Sequence, residues 1–216
     1  MNLIIFGPPG AGKGTQSDKI VENFNLFKLS AGDLLRKEID EKTVIGEKIQ
    51  SIVNAGKLVP DNIVNNLVEK IVSDSKYKNR IIFDGYPRNL EQAKILGSIL
   101  KKNSQKIDLV ISLKVSLDSI VKRITGRLVC SKCGNTYNEF FNPPPKKSDC
   151  CNNEFLKRRS DDSADVAKKR FQTYEQSTKP VLEYYKEAGL IKEISGENKI
   201  EEIYVKIVDF INFIRG

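Results

Sequence analysis

A glycine-rich segment near the start of the chain, Gly7-Pro-Pro-Gly-Ala-Gly-Lys-Gly-Thr15, has the residue types of a phosphate-binding loop. It follows a short apolar run and opens a polar amphipathic segment, which is the strand, loop and helix setting that such a loop needs. Its glycines permit a tight turn and let backbone N–H groups approach phosphate oxygens. Lys13 adds a positive charge for the β- and γ-phosphates, and Thr15 adds a hydroxyl for Mg²⁺. We therefore predict a nucleoside triphosphate site formed by Gly10, Ala11, Gly12, Lys13, Gly14 and Thr15.

A second chemical signal ends another apolar run, in Ile81-Ile82-Phe83-Asp84-Gly85-Tyr86-Pro87-Arg88. An acidic residue at the end of a strand beside a phosphate-binding loop suits the coordination of Mg²⁺ through water. Arg88 follows closely enough in the chain to reach the same phosphates. We expect Thr15 and Asp84 to serve Mg²⁺ and Arg88 to contact phosphate.

The four cysteines form two close pairs, Cys130-x-x-Cys133 and Cys150-Cys151, with sixteen residues between them. A zinc ribbon expects Cys-x-x-Cys in both halves, and only the first half has it. Adjacent cysteines bind one metal only with a strained chain reversal, yet a fourth thiolate gives the most stable closed site. The candidates for the fourth ligand are Cys151, Asn153 and Glu154. We predict a structural zinc site of Cys130, Cys133, Cys150 and Cys151; the alternative is a metal-free segment held by packing and hydrogen bonds.

The composition limits the functional classes that are open to this chain. Its 216 residues can bury a sizeable core and fit one domain with insertions. The net charge of +8 suits nucleic acid, a membrane surface or phosphorylated small molecules as partners, although most lysines fit a solvated surface. The chain has no histidine, which excludes every mechanism and every zinc site that requires an imidazole.

Segments that would direct the chain to a membrane are not expected. No run of 18 apolar residues predicts a membrane span, and the first residues lack the charged and apolar regions of a signal peptide. Four cysteines in two close pairs suggest metal binding rather than a disulfide framework. We therefore expect a cytoplasmic protein.

Apolar runs alternate with helical patterns along most of the chain. Strands are predicted at Asn2–Phe6, Phe27–Leu29, Arg80–Phe83, Leu109–Val115 and Leu190–Ile194. Helices are predicted at Lys13–Phe24, Asp33–Asp40, Asp61–Ser75, Leu90–Lys102, Leu117–Thr125, Ala164–Lys186 (interrupted near Pro180) and Lys199–Ile214. This order predicts an α/β fold with a parallel sheet covered by helices on both faces. Ligands then bind at the carboxyl edge of the strands, where the phosphate-binding loop lies.

Two stretches break the alternation of strands and helices. Residues 30–59 contain helical pieces with no strand between them. Residues 126–159 are rich in Cys, Asn, Pro, aromatic and basic residues. We predict a core made of 1–29, 60–125 and 160–216, with the two stretches as separate insertions.

The motifs together resemble the nucleoside monophosphate kinases. The resemblance lies in the phosphate-binding loop, Leu29-Ser-Ala-Gly-Asp-Leu-Leu-Arg36, Asp84-Gly-Tyr-Pro-Arg88 and Gly126-Arg127. Cys130-x-x-Cys133-Gly-x-x-Tyr137, Arg159-Ser-Asp-Asp162 and Lys169-Arg170 narrow it to adenylate kinases with the long, zinc-bearing bacterial lid. It covers essentially the whole chain and implies a P-loop NTPase fold. It also implies the reaction ATP + AMP ⇌ 2 ADP with Mg²⁺, with 30–59 binding the monophosphate and 126–159 as the lid.

The same resemblance implies roles for individual residues. In addition to the phosphate-binding loop, it places Arg127, Thr136, Tyr137 and Asn198 at ATP. Arg36 and Arg88 hold the AMP phosphate, and Arg123, Arg159 and Arg170 converge with Lys13 on the transferred phosphoryl group. Arg159 and Arg170 also border AMP. The rest of the AMP pocket comprises Ala31, Lys57, Leu58, Val59, Gly85, Tyr86, Pro87 and Gln92, with the amide of Gln92 at the adenine edge.

Two alternatives remain open at this point. The motif Ser-Ala-Gly-Asp, with Ala31 where adenylate kinases commonly have Thr, also occurs in uridylate–cytidylate kinases. Gln92 and the long lid favour adenylate kinase. A zinc-ribbon regulator that binds ATP and nucleic acid would use the basic surface, but would not need a second phosphate site. We expect ATP, AMP and ADP as partners, no nucleic acid or membrane, and a monomer, as the family implies.

Overall fold

Parallel strands form the centre of the structure, a computed structural model that describes residues 1–145 and 150–216. The strands within these ranges are β1 (Leu3–Phe6), β2 (Phe27–Ser30), β3 (Ile81–Asp84), β4 (Leu109–Lys114), β5 (Arg127–Cys130), β6 (Thr136–Asn138), β7 (Leu156–Lys157) and β8 (Ile191–Ser195). Five of them form a parallel sheet in the order β2-β3-β1-β4-β8. The predicted α/β class with a parallel sheet is confirmed.

Helices connect these strands and cover both faces of the sheet. They are α1 (Lys13–Phe24), α2 (Ala31–Asp40), α3 (Val44–Asn54), α4 (Asp61–Val72), α5 (Leu90–Lys102), α6 (Leu117–Thr125), α7 (Ala164–Thr173), α8 (Lys179–Glu187) and α9 (Ile200–Arg215). A wide π-helical turn over Tyr174–Thr178 separates α7 from α8. The interruption predicted near Pro180 is confirmed; a proline lacks the N–H that a continuous α-helix requires.

The central strand β1 is buried on both sides. Ile4 and Phe6 belong to one apolar cluster, whereas Leu3 and Ile5 belong to the cluster on the opposite face. Alternate side chains of a strand point to opposite faces, so the continuous apolar run is what a strand covered on both sides requires. Among the helices of residues 1–145 and 150–216, none combines the length and apolar character of a transmembrane segment.

The two stretches that break the alternation take different forms. Residues 30–59 contain the helical pair α2 and α3. Residues 126–159 contain a small antiparallel sheet in the order β6-β5-β7. The first insertion leaves the core at the carboxyl end of β2. The second follows α6, whose Ile124 packs against Gly10 of the phosphate-binding loop. The boundaries of three separate units stay a prediction.

Candidate active site

The loop between β1 and α1 is shaped to receive an anion. It ends at Gly12, whose φ of 92° is a conformation that favours glycine. The Nζ of Lys13 donates to the carbonyl oxygens of Gly7 (2.8 Å) and Pro8 (3.0 Å). In this described part of the chain, no side chain caps the N-terminus of α1 and its first turn carries no acidic residue. The N–H groups and the positive end of the helix dipole therefore face the loop uncompensated.

Asp84, the last residue of β3, lies beside this loop. A Cβ atom added to Gly14 would stand 3.7 Å from Oδ2 of Asp84. Burial raises the pKa of Asp84, and the charge of Lys13 opposes that rise. Burial also lowers the pKa of Lys13 from 10.5 to about 8, against the attraction of Asp84. The charges of Lys13 and Asp84 thus stabilise each other, against the effect of burial. Both residues lie next to Thr15 in the first turn of α1.

Arginines from separate segments converge on the loop. Burial lowers the pKa of Arg170 to about 10, together with the nearby charges of Arg88, Arg127 and Arg36 and against the attraction of Asp161. Burial lowers the pKa of Arg159 to about 10 as well, helped by Arg127 and Arg36. Arg88, Arg170 and Arg127 also lower the pKa of Lys13. These cations lie close enough to repel one another, which is the arrangement that phosphate groups would relieve.

Carboxylates pair with the arginines; the side chains of Asp161 and Asp162 are buried, whereas that of Asp33 is half exposed. The pairs are Arg36 with Asp33, Arg127 with Asp162 (Nε–Oδ2 2.8 Å) and Arg170 with Asp161 (2.5 Å), and Arg159 lies 3.7 Å from Asp33. Asp161 is 5% exposed, so its ion pair with Arg170 is shielded from water. None of these carboxylate roles was predicted; Asp161 and Asp162 were noted only as part of a motif.

The first insertion closes against the arginine group. A cavity of about 70 Å³ remains, lined by residues of the phosphate-binding loop, by Gly85, Pro87 and Arg88, by Gly56 and Leu58, and by Arg170 and Thr178. A Cβ atom on Gly56 would stand 3.0 Å from Cγ of Arg170. Ser160 Oγ, just after the second insertion, donates to Oδ1 of Asn54 at 3.4 Å, and Arg159 of the second insertion lies 3.7 Å from Asp33 of the first. The three parts of the chain thus meet above the phosphate-binding loop.

Gln92, the predicted adenine contact, is 2% exposed and already hydrogen-bonded. Its Oε1 accepts from the backbone N–H of Arg88 at 2.7 Å, and its Nε2 donates to Oδ1 of Asp61 at 2.6 Å. The guanidinium Nε of Arg88 donates to the carbonyl oxygen of Gly85 at 2.8 Å. Gln92 therefore lies directly behind residues that line the cavity. Of the other residues predicted in the AMP pocket, Leu58 and Pro87 line the cavity. Ala31, Val59 and Tyr86 are buried, and Lys57 is exposed.

Arg123 lies beside Ala11 of the phosphate-binding loop, and its predicted place at the transferred phosphoryl group stays a prediction. Its NH2 donates to the carbonyl oxygen of Gly196 at 2.7 Å, and its NH1 is 3.5 Å from the carbonyl oxygen of Ala11. Its Cζ lies 5.6 Å from the ring centroid of Phe141 in the second insertion. The spacing along α6 did not reveal these contacts of Arg123. Arg127, predicted at ATP, lies close enough to Lys13, Arg159 and Arg170 to lower their pKa values.

All four thiols come together in the second insertion. Their sulfur atoms lie within 4.8 Å of one another, with Cys130–Cys150 at 3.9 Å and Cys133–Cys151 at 3.5 Å. A tetrahedral zinc site with Zn–S bonds of about 2.3 Å would separate its sulfurs by about 3.8 Å. The four thiols therefore fit zinc in number, chemistry and spacing. Asn153 and Glu154, the other candidates for the fourth ligand, are exposed.

The cysteine cluster favours a thiolate at Cys130, whereas hydrogen bonding with Cys133 raises the pKa of Cys150 to about 12. Burial raises the pKa of the Cys130 thiol, but backbone N–H groups of Cys133 and Lys132 outweigh this effect and bring the pKa to about 7. Interaction with Cys151 raises the pKa of Tyr137, which lies in β6. Tyr137 therefore contacts the cysteine cluster, and its place at ATP stays a prediction, as do those of Thr136 and Asn198.

Comparison with known proteins identifies the group to which this arrangement belongs. The sequence pattern of the family described as adenylate kinase matches residues 5–190. The chain is 47% identical over 211 residues to the adenylate kinase of Pelagibacter ubique, covering 98% of this chain and 99% of that protein. It is 40% identical to the adenylate kinases of Listeria monocytogenes (96% and 97% covered) and Fervidobacterium nodosum (94% and 94% covered). The chain belongs to the adenylate kinase family.

Membership of the adenylate kinase family establishes the general chemistry. The protein is a phosphotransferase that acts on nucleoside monophosphates, with a P-loop NTPase fold, and binds adenine nucleotides. The partly buried residue Asp61 and the ring of Phe141 were not predicted from the sequence. Asp61 opens a helical pattern, where an acidic residue is ordinary, and Phe141 stands in an irregular segment with no periodic signal.

Proposed function

We propose that this adenylate kinase family member transfers a phosphoryl group reversibly from Mg-ATP to AMP and so forms two ADP. The observation that carries the proposal is the group of buried cations formed by Lys13, Arg88, Arg127, Arg159 and Arg170 between the phosphate-binding loop and both insertions. Two polyanions can meet there only if their charges are neutralised and their reacting atoms are aligned. Planar, permanently charged guanidinium groups suit phosphate oxygens for this purpose.

On the donor side, the triphosphate of ATP lies on the N–H groups of residues 10–15 and on Lys13. Asp84 and Thr15 would hold Mg²⁺, whose role is to neutralise the phosphate charge; the position of Asp84 beside Gly14 fits this role. The flat faces of Arg123 and Phe141 suit stacking on the adenine, because a guanidinium and an aromatic ring both stack on a purine. Arg127 closes over the phosphates from the lid.

On the acceptor side, Arg36 and Arg88 hold the phosphate of AMP, while Gln92 and the backbone around 57–59 and Gly85 surround its adenine. The attacking phosphate oxygen is already ionised, so no general base is needed and the lack of histidine is no obstacle. Arg159 and Arg170 stabilise the charge on the phosphoryl group as it passes between the two nucleotides. Residues 30–59 and 126–159 act as flaps that exclude water, which would otherwise compete as acceptor.

In the lid, Cys130, Cys133, Cys150 and Cys151 would bind one zinc ion with a structural role. Four thiolates leave no open position, so the ion would stabilise the β5–β7 sheet and would supply no step of the reaction. The monomeric state and the cytoplasmic setting stay predictions.

A panel of phosphate acceptors tests the proposed reaction. With Mg-ATP as donor, we expect the kcat/KM for AMP to exceed those for CMP, UMP and GMP. Equal or better turnover of CMP or UMP would replace the proposal with a pyrimidine monophosphate kinase, the reading that Ala31 favours. A gel shift with DNA and RNA at physiological salt tests the alternative of a zinc-ribbon regulator that binds nucleic acid. Specific binding without monophosphate kinase activity would favour that alternative.

A further inference from the structure

We propose that Asp61 is a positioning residue that fixes the side-chain amide of Gln92 in the orientation that recognises adenine. The inference rests on the proposed function, because it takes AMP as the acceptor. It concerns a residue outside the phosphate-binding machinery, at the first position of α4.

The orientation of the Gln92 amide follows from the chemistry of its two partners. The backbone N–H of Arg88 can only donate, so Oε1 must face it, at 2.7 Å. The Asp61 carboxylate can only accept, so Nε2 must face it, at 2.6 Å. A flipped amide would set an NH₂ group against an N–H and an oxygen against a carboxylate. Two unfavourable contacts thus oppose the flip, and Asp61 supplies one of them.

The two anchors leave one acceptor and one donor of Gln92 unused among the contacts of the described residues. Oε1 retains a lone pair and Nε2 retains an N–H. Adenine offers the complementary pair, because its N6 amino group donates and its N1 accepts. Hypoxanthine presents the reverse pair, with an O6 acceptor and an N1–H donor. The orientation that Asp61 enforces therefore favours AMP over inosine monophosphate.

Asp61 is itself held firmly. Its two carboxylate oxygens accept from Nδ2 of Asn89 at 3.0 and 2.9 Å. Asn89 caps the N-terminus of α5 by accepting from the backbone N–H of Gln92 at 2.8 Å. The start of α4 is thus tied to the start of α5, and both backbone and side chain of Gln92 are fixed by one network. If Asp61 only held the two helices together, its loss would lower kcat/KM equally for every acceptor. If Asp61 orients Gln92, its loss would change the preference between bases.

The test is the ratio of kcat/KM for AMP to that for inosine monophosphate, with Mg-ATP as donor. We expect Asp61→Asn to lower this ratio about tenfold, because a neutral amide at 61 tolerates both orientations of Gln92. The change should come from a higher KM for AMP, with the KM for ATP unchanged. Gln92→Leu gives the value expected when the amide is lost. Glu69→Gln, on the same helix and paired with Lys102 at 3.3 Å, is the matched control.

The ratio does not depend on how much of a variant is folded, since both acceptors use the same active fraction. If Asp61→Asn is too slow to assay, calorimetric binding of the two monophosphates gives the same ratio. A ratio within threefold of wild type, or an equal fall in Glu69→Gln, would overturn the role of Asp61. If the wild-type enzyme itself shows no preference for AMP over CMP and UMP, the proposed function fails instead.

Discussion

Replacing Lys13 with Met should stabilise the nucleotide-free protein while it removes most of the activity. Burial lowers the pKa of Lys13 from 10.5 to about 8, and Arg88, Arg170 and Arg127 contribute in the same direction. A fall of that size corresponds to about 3 kcal/mol of destabilisation by the charged form. Met would lose the hydrogen bonds to Gly7 and Pro8, so a net gain of about 2 kcal/mol is expected at pH 7.

The pH dependence of this gain has a defined sign. Below pH 8, Lys13 is charged in both the folded and the unfolded chain, and the full penalty is present. Between pH 8 and 10.5 the folded chain releases the proton while the unfolded chain keeps it, so the wild type recovers stability as pH rises. The advantage of Lys13→Met should therefore be largest at pH 7 and should nearly vanish by about pH 9.5.

Urea unfolding of wild type and Lys13→Met at pH 7 and at about pH 9.5 measures the difference in their free energies of unfolding. The contributions of the other titrating groups are the same in both proteins and cancel in this difference. Lys37→Met replaces an exposed lysine and should change stability little at either pH. Turnover of Lys13→Met should fall at least 100-fold, because the lysine stabilises charge that develops on the phosphates. An unstable variant at pH 7, or an advantage that stays constant with pH, would refute the reasoning.

Three further outcomes are expected. Arg88→Met should lower kcat about 100-fold or more and raise the KM for AMP while the melting temperature holds; a folded variant with near wild-type rates would remove Arg88 from the site. Elemental analysis of chelator-free protein should find about one zinc per chain, with Cys151→Ser losing more of it than Glu154→Gln; the reverse order would move the fourth ligand downstream. A ligand of two adenosines joined by phosphates should slow hydrogen exchange in 30–59 and 126–159, and unchanged exchange in both would contradict their role as flaps.

Much of the fold could be predicted because the signals are local. The run Leu3–Phe6 and the glycines that follow it define a strand and a phosphate-binding loop without reference to the rest of the chain. The parallel sheet follows from alternation of strands and helices. The order of its strands was not predicted. That order depends on the face of the sheet that each connecting helix crosses, and no local sequence pattern encodes it.

Long-range pairing explains what the sequence did not reveal. Asp161 and Asp162 are adjacent, yet they hold different arginines, Arg170 and Arg127, from different elements. Arg123 shares its type and motif spacing with the other arginines but turns towards Gly196. Spacing identifies a residue that can contact phosphate; only the packing of the elements decides which ones reach the same point.

The balance of charge at this site links substrate binding to the closing of the insertions. Among residues 1–145 and 150–216, six cations meet there with four carboxylates: Lys13, Arg36, Arg88, Arg127, Arg159 and Arg170, with Asp33, Asp84, Asp161 and Asp162. Burial lowers the pKa values of Arg159 and Arg170 to about 10 each, and the neighbouring arginines act in the same direction, so these charges are less favourable here than in water. Because both insertions contribute cations, opening would relieve this repulsion, and the phosphates of two nucleotides would remove it. We infer that substrate charge itself favours closure, so water is excluded chiefly when both nucleotides are bound.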